Sequence, residues 1–217
     1  MNNSQIHQQL VTKEVTVEEL TKRVIKEQNL LPEIFDGLKA EKASIKYGCL
    51  KVLCLISEQQ PVLLYPYFNF FVELLDSEVN IFKWGGILII ANLTVADTNN
   101  KFELIFEKYY APITEHVLIS AANVVRSSGT IALAKPELTE RITEEVLKVD
   151  DAVYETDECR NIAIGHAIKS FHKFFVQIKN KQPVIDFINR QLENSRSGTK
   201  KAAEKFVKKY AGTGHSI

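Results

Sequence analysis

The segment Lys46-Tyr47-Gly48-Cys49-Leu50-Lys51-Val52-Leu53 returns thirty-seven residues later as Lys83-Trp84-Gly85-Gly86-Ile87-Leu88-Ile89-Ile90. Each copy follows an acid-containing turn and a mostly apolar run. Recurrence at this interval predicts a stack of helical repeats, in which each unit buries its apolar face only by leaning on its neighbours.

The same step from Lys83 reaches Ser120, followed by Ala121-Ala122-Asn123-Val124-Val125, which keeps the small and branched residues but loses the basic one. Steps of about forty then reach Arg160-Asn161-Ile162-Ala163-Ile164-Gly165 and Lys200-Lys201-Ala202-Ala203-Glu204-Lys205-Phe206. In every copy a small residue follows shortly: Gly48/Cys49, Gly85/Gly86, Ala122, Ala163 and Ala202/Ala203. Gly inside a helix costs about 0.5–1 kcal/mol relative to Ala, so its use here predicts close approach of a neighbouring helix.

A shorter apolar segment precedes each copy, around residues 30–35, 62–68, 102–106, 138–147 and 184–188. Each repeat therefore reads as two helices. Pro32, Pro136 and Pro183 fall near the start of the first helix, where the missing N–H removes nothing the helix needs. Pro66 lies deeper in its segment and predicts a start or a kink there. Polar breaks separate the elements at 39–44, 76–78, 97–100, 150–157 and 194–198. The capping box of Thr16 and Glu19 predicts an additional helix over about 17–28.

Over roughly residues 30–210 this pattern resembles HEAT repeats, paired helices stacked side by side with a basic residue early in the second helix. Lys46, Lys83 and Arg160 match that basic feature, and Ser120 departs from it. Armadillo-type repeats are a close relative and stay open as the alternative. The resemblance implies an all-α right-handed superhelix of about five stacked helix pairs, a HEAT-like solenoid. The domain layout expected is a polar N-terminal tail over 1–14, one solenoid domain over 15–210 and a flexible C-terminal tail over 211–217. The helix near 17–28 and the basic last pair would then cap its ends.

An apolar content of 45% is ample for a continuous core. The N-terminal residues lack the cationic start and apolar stretch of a signal peptide, and the longest apolar run, near 84–93, falls short of the roughly 20 residues a membrane span needs. Three cysteines, Cys49, Cys54 and Cys159, argue against a disulfide framework and for a reducing, cytoplasmic setting with structural thiols. From residue 169 onward there are eleven Lys/Arg against three Asp/Glu, while nine acids crowd 137–158. Such asymmetry marks either a polar partner site or two solvated faces in which acid complements the basic cap that follows.

Signatures of chemistry are missing. There is no phosphate-cradling glycine loop, no Cys-x-x-Cys pair, no His-Glu-x-x-His helix and no Gly-x-Ser-x-Gly elbow. The histidines are His7, His116, His166, His172 and His215. His166 and His172 are six residues apart, which separates them by about 240° around a helix and prevents their sharing a metal. Glu115-His116 reverses the His-Glu order of HEAT-like iron hydroxylases and has no second copy. Cys159, beside Arg160, follows an acidic loop that opposes thiolate formation. No catalytic residue, metal or cofactor is expected.

The expected function is a non-catalytic protein–protein interaction module that binds through the concave face formed by the second helices. Ile45, Cys49, Leu53 and Ile56 form one apolar stripe, and Ile164, Ile168, Phe171 and Phe175 another. Residues off those stripes are the candidate partner-binding set: Lys46, Tyr47, Lys51, Lys83, Trp84, Asn92, Arg160, Asn161, His166, Lys169 and Lys173. Tyr47 and Trp84 occupy equivalent positions and serve either as binding aromatics or as filling between helices. The alternatives are nucleic-acid binding through the five lysines of 200–209, and a small enzyme on a HEAT-like frame.

Overall fold

The computed structural model describes residues 5–210. All regular structure among them is helical, and the chain divides into two compact units at the Phe102/Glu103 junction. No helix among the described residues is long and apolar enough to cross a membrane.

The first unit opens with α1 (Gln5–Thr12) and α2 (Val17–Lys26). Helix α3 (Leu31–Gly37) then pairs with α4 (Ala43–Gln59), and α5 (Pro61–Leu64) with α6 (Phe68–Leu74) forms the partner of α7 (Asn80–Leu93). The second helices α4 and α7 pack on each other. Short α8 (Lys101–Leu104) spans the junction.

In the second unit α9 (Phe106–Tyr110) precedes α10 (Leu118–Ala134), α11 (Thr139–Leu147) pairs with α12 (Asp157–Phe174), and α13 (Gln182–Arg190) with α14 (Ser197–Tyr210). Helix α10 packs on α12 and α12 on α14, while the first helices α11 and α13 also touch. The five pairs expected from the sequence are all present, two of them with a first helix broken in the middle.

Local chemistry explains the breaks. Pro66 sits in a 3₁₀ turn, Tyr65–Tyr67, that divides α5 from α6, because its ring cannot continue an α-helical ladder. Helices α4 and α10 stop at Gln60 and Lys135, each immediately before a proline and each turned out of the helical region (φ −144° and −129°). Thr16 and Glu19 close the capping box that starts α2, with the threonine hydroxyl accepting from Glu19 N and the carboxylate accepting from Thr16 N. Thr156 caps α12 by accepting from Cys159 N.

Both apolar stripes expected from the sequence are buried. Each such Leu, Ile or Phe contributes about 1.5–3 kcal/mol, so the stripes, repeated from helix to helix, hold each unit together. The small residues do what their recurrence implied. A Cβ on Gly48 would meet Leu10 at 3.3 Å, one on Gly85 would meet Leu50 at 2.8 Å, and one on Gly86 would meet Leu74 Cβ at 3.0 Å.

Two departures matter. Residues 5–12, set apart in sequence as part of a polar tail, form α1, which buries Ile6 and Leu10 and packs on α4. With only those two apolar residues on its inner face inside a Gln-rich run, and Val11 turned to solvent, the stripe is too short to stand out. Furthermore, α7 begins at residue 80 and α10 at 118, so the second step is thirty-eight, not thirty-seven. Ala121, rather than Ser120, is therefore the fourth helical residue equivalent to Lys46 and Lys83. The expected tail over 211–217, and His215 within it, lie outside the described residues.

Candidate partner-binding surface

In the first unit, the outer stripe of α4 runs through Tyr47, Lys51 and Leu55, and that of α7 through Trp84, Leu88 and Asn92. Lys46, Tyr47, Lys83 and Trp84 are half-buried and Lys51 is exposed. The Tyr47 ring lies edge-on to Phe82 of α7 at 6.3 Å, and with Lys51, Leu10 and Val17 it lines a hollow of about 500 Å³ against α1 and α2. Asn92 has a fold-forming role: its amide donates to Ser57 Oγ at 2.9 Å, tying α7 to α4.

In the second unit, two of the residues singled out on α12 are engaged internally. Arg160 pairs with Asp157 one turn earlier at 3.5 Å. Asn161 donates to Ser195 Oγ (3.1 Å), accepts from Asn194 Nδ2 (2.9 Å), and its carbonyl accepts from the Thr199 hydroxyl (2.7 Å). That set of bonds braces α12 against the start of α14.

The other three, His166, Lys169 and Lys173, belong to a basic face that continues onto α10 and α14. Helical spacing from Ile119 brings Ala122, Arg126, Thr130 and Leu133 to the outer side of α10. Lys173 lays its stem across α10 at Gly129, where a Cβ would meet the lysine Cδ at 2.6 Å. Between α12 and α14, Lys169, His172, Lys201 and Lys205 surround a hollow of about 400 Å³ whose apolar part is Ile168 and Ala202.

The field on this face is recorded by its histidines. His166 is held below the usual histidine range by burial and then by Lys169, Arg126 and Arg196. Its Nδ1 is buried without a hydrogen-bond partner among the described residues. His172 is likewise lowered, by burial and then by Lys209 and Lys205. Among the described residues Arg126, Lys169, Lys173, Lys201 and Lys205 make no ion pair.

Several of the crowded acids behave differently. Asp150 accepts from Arg190 at 2.7 Å, Glu158 from Arg196 at 2.8 Å, and Glu140 from the Lys179 backbone N–H at 2.8 Å. Each of these joins one helix pair to the next. The acid of 137–158 is thus partly absorbed by the fold, whereas Arg126, Lys169, Lys173, Lys201 and Lys205 are left without ion pairs among the described residues.

Sequence reasoning missed Arg126 because the repeat was stepped one residue short at α10. It also took the lysines of α14 as an isolated basic run rather than as the far bank of a hollow begun by Lys169.

No protein-family model matches the chain, and no curated protein matches it. Among solved structures, a designed armadillo repeat protein is similar, at 17% identity over 89% of this chain and 86% of that one, with a TM-score of 0.54. At that identity the likeness concerns the fold alone: the chain has an all-α helical-repeat fold of the armadillo-like kind.

Proposed function

We propose that this protein is a non-catalytic binding module that takes a protein partner on the exposed faces of its second helices, chiefly the basic face of α10, α12 and α14. The observation that carries this reading is the set of cations without ion-pair partners among the described residues, Arg126, Lys169, Lys173, Lys201 and Lys205, around two histidines whose pKa burial and neighbouring charge push down. A fold that pairs acids between successive helix pairs leaves these cations facing solvent together. Clustered charge of one sign steers an oppositely charged partner and sets its orientation. Stacked repeats supply the extended, rigid surface such a partner needs.

Affinity capture from native cell extract tests the reading. The wild type and an Arg126→Glu/Lys169→Glu/Lys173→Glu variant are compared, with retained proteins identified by mass spectrometry. At least one protein should be held by the wild type and lost by the variant. Identical retained sets would sink the proposal.

A further inference from the structure

The hollow between α12 and α14 carries the argument one step further, to the chemistry of what it binds; this step rests on the binding-module reading above. Its wall combines a buried Ile168 and a half-buried Ala202 with three lysines, Lys169 on α12 and Lys201 and Lys205 on α14, none ion-paired among the described residues. Apolar surface flanked on two sides by ammonium groups matches a peptide that presents one aliphatic side chain between carboxylates. Among the described residues no acidic side chain lines the hollow to compete for those lysines.

Nucleic acid fits less well. Binding a single strand uses exposed aromatic rings as stacking platforms, and the phenyl and phenol rings nearest this face, Phe171, Phe206 and Tyr210, are all buried, leaving only the half-buried His172 ring beside the hollow among the described residues. Phe206 and Tyr210 are instead spent on an aromatic cluster with His172 and Phe175, in which Tyr210 also donates its hydroxyl to the His172 carbonyl at 3.0 Å. That cluster ties the α14 bank of the hollow to the end of α12. A preformed wall favours a defined short segment over a flexible polyanion. We infer that the α12–α14 hollow is a docking site for an acidic peptide segment, an aliphatic anchor seated on Ala202 and the lysine stems that cover Ile168, with its flanking carboxylates on Lys169, Lys201 and Lys205.

Fluorescence anisotropy on the full chain tests this. The probe is a short labelled peptide with one leucine flanked by glutamates, run beside its Gln-for-Glu twin, its Gly-for-Leu twin and single-stranded DNA. Saturable binding of the Glu-Leu peptide is expected, weakened roughly tenfold or more by either twin, by raised salt and by Lys169→Glu/Lys201→Glu/Lys205→Glu. These lysines are surface residues, so unchanged circular dichroism should confirm that the variant is folded. The inference is overturned by absence of saturable binding, by equal binding to the triple variant, by indifference to the leucine, or by tighter binding of DNA. If the peptide fails while the captured partner still depends on Arg126 and Lys173, the module reading stands and this site falls. If that dependence is absent too, both fall.

Discussion

The Tyr65 hydroxyl donates to Asp97 Oδ1 across 2.6 Å, joining the turn between α5 and α6 to the turn before α8. The same carboxylate accepts from Lys101 N at 2.9 Å and Phe102 N at 3.0 Å, so it caps α8 while only 4% exposed. Asn100, within the capped turn, takes a left-handed conformation (φ 52°), and the Lys101 ammonium sits 4.9 Å from the centre of the Tyr65 ring.

Asp97→Ala removes these bonds and takes the carboxylate acceptor away from the buried Phe102 N–H. It should lower stability by about 3 kcal/mol, against about 1 kcal/mol for Tyr65→Phe. Urea titration followed by fluorescence of Trp84, the only tryptophan and a resident of the same unit, measures both. Equal effects of the two substitutions would show that the carboxylate does not organise the turn.

The adjacent glycines of α7 should respond differently. A Cβ at Gly86 meets Leu74 Cβ at 3.0 Å and the Phe71 carbonyl oxygen at 3.1 Å, so α6 and α7 would have to part. At Gly85 it meets only the branched end of Leu50, which can rotate. Gly86→Ala should destabilise by about 1–2 kcal/mol despite alanine's better helix propensity, and Gly85→Ala by less than about 1 kcal/mol. Reversal of that order in urea melts would refute the packing argument.

Thiol reactivity should be sharply graded. Burial, then Glu33, pushes the Cys49 thiol up to about 12, and burial, then Glu58, pushes Cys54 up to about 12. Neither carries appreciable thiolate near neutral pH. Cys159 is half-buried in the first turn of α12. Native alkylation at mildly basic pH should place a single adduct, on Cys159, with the other two modified only after unfolding. Mass spectrometry reads the site, and early labelling of Cys49 would contradict the burial.

The histidines make stability depend on pH in a defined direction. His166 and His172 are lowered in the folded state, so between the ordinary histidine value near 6.5 and their folded values the unfolded chain binds more protons. Their contribution is full above that window and is lost as pH falls through it. Thermal melts of wild type and His166→Gln/His172→Gln should show a shallower decline below about pH 6.5 in the variant. Parallel declines would mean that the two imidazoles are not linked to folding.

Helix pairing was readable because small residues, apolar stripes and prolines recur together: Gly48 with Gly85, Cys49 with Gly86, Pro32 with Pro183. The candidate surface was readable only in part. Asn92 and Asn161 sit at outward helical positions, yet their amides are used by Ser57, Ser195 and Asn194, partners more than thirty residues away that no local spacing reveals. Arg126 was hidden by the one-residue lengthening before α10. Lys201 and Lys205 gain meaning only when α14 is laid beside α12. Asp97 looked like an ordinary turn acid, since burial of a carboxylate depends on what folds over it.

Lysine footprinting on the captured complex addresses the central claim most directly. Acetylation rates of free and partner-bound protein are compared residue by residue. Lys169 and Lys173 should be protected in the complex, while Lys22 and Lys39, exposed on α2 and after α3, react unchanged. Equal rates at Lys169 and Lys173 in the two states would show that the partner does not lie on this face.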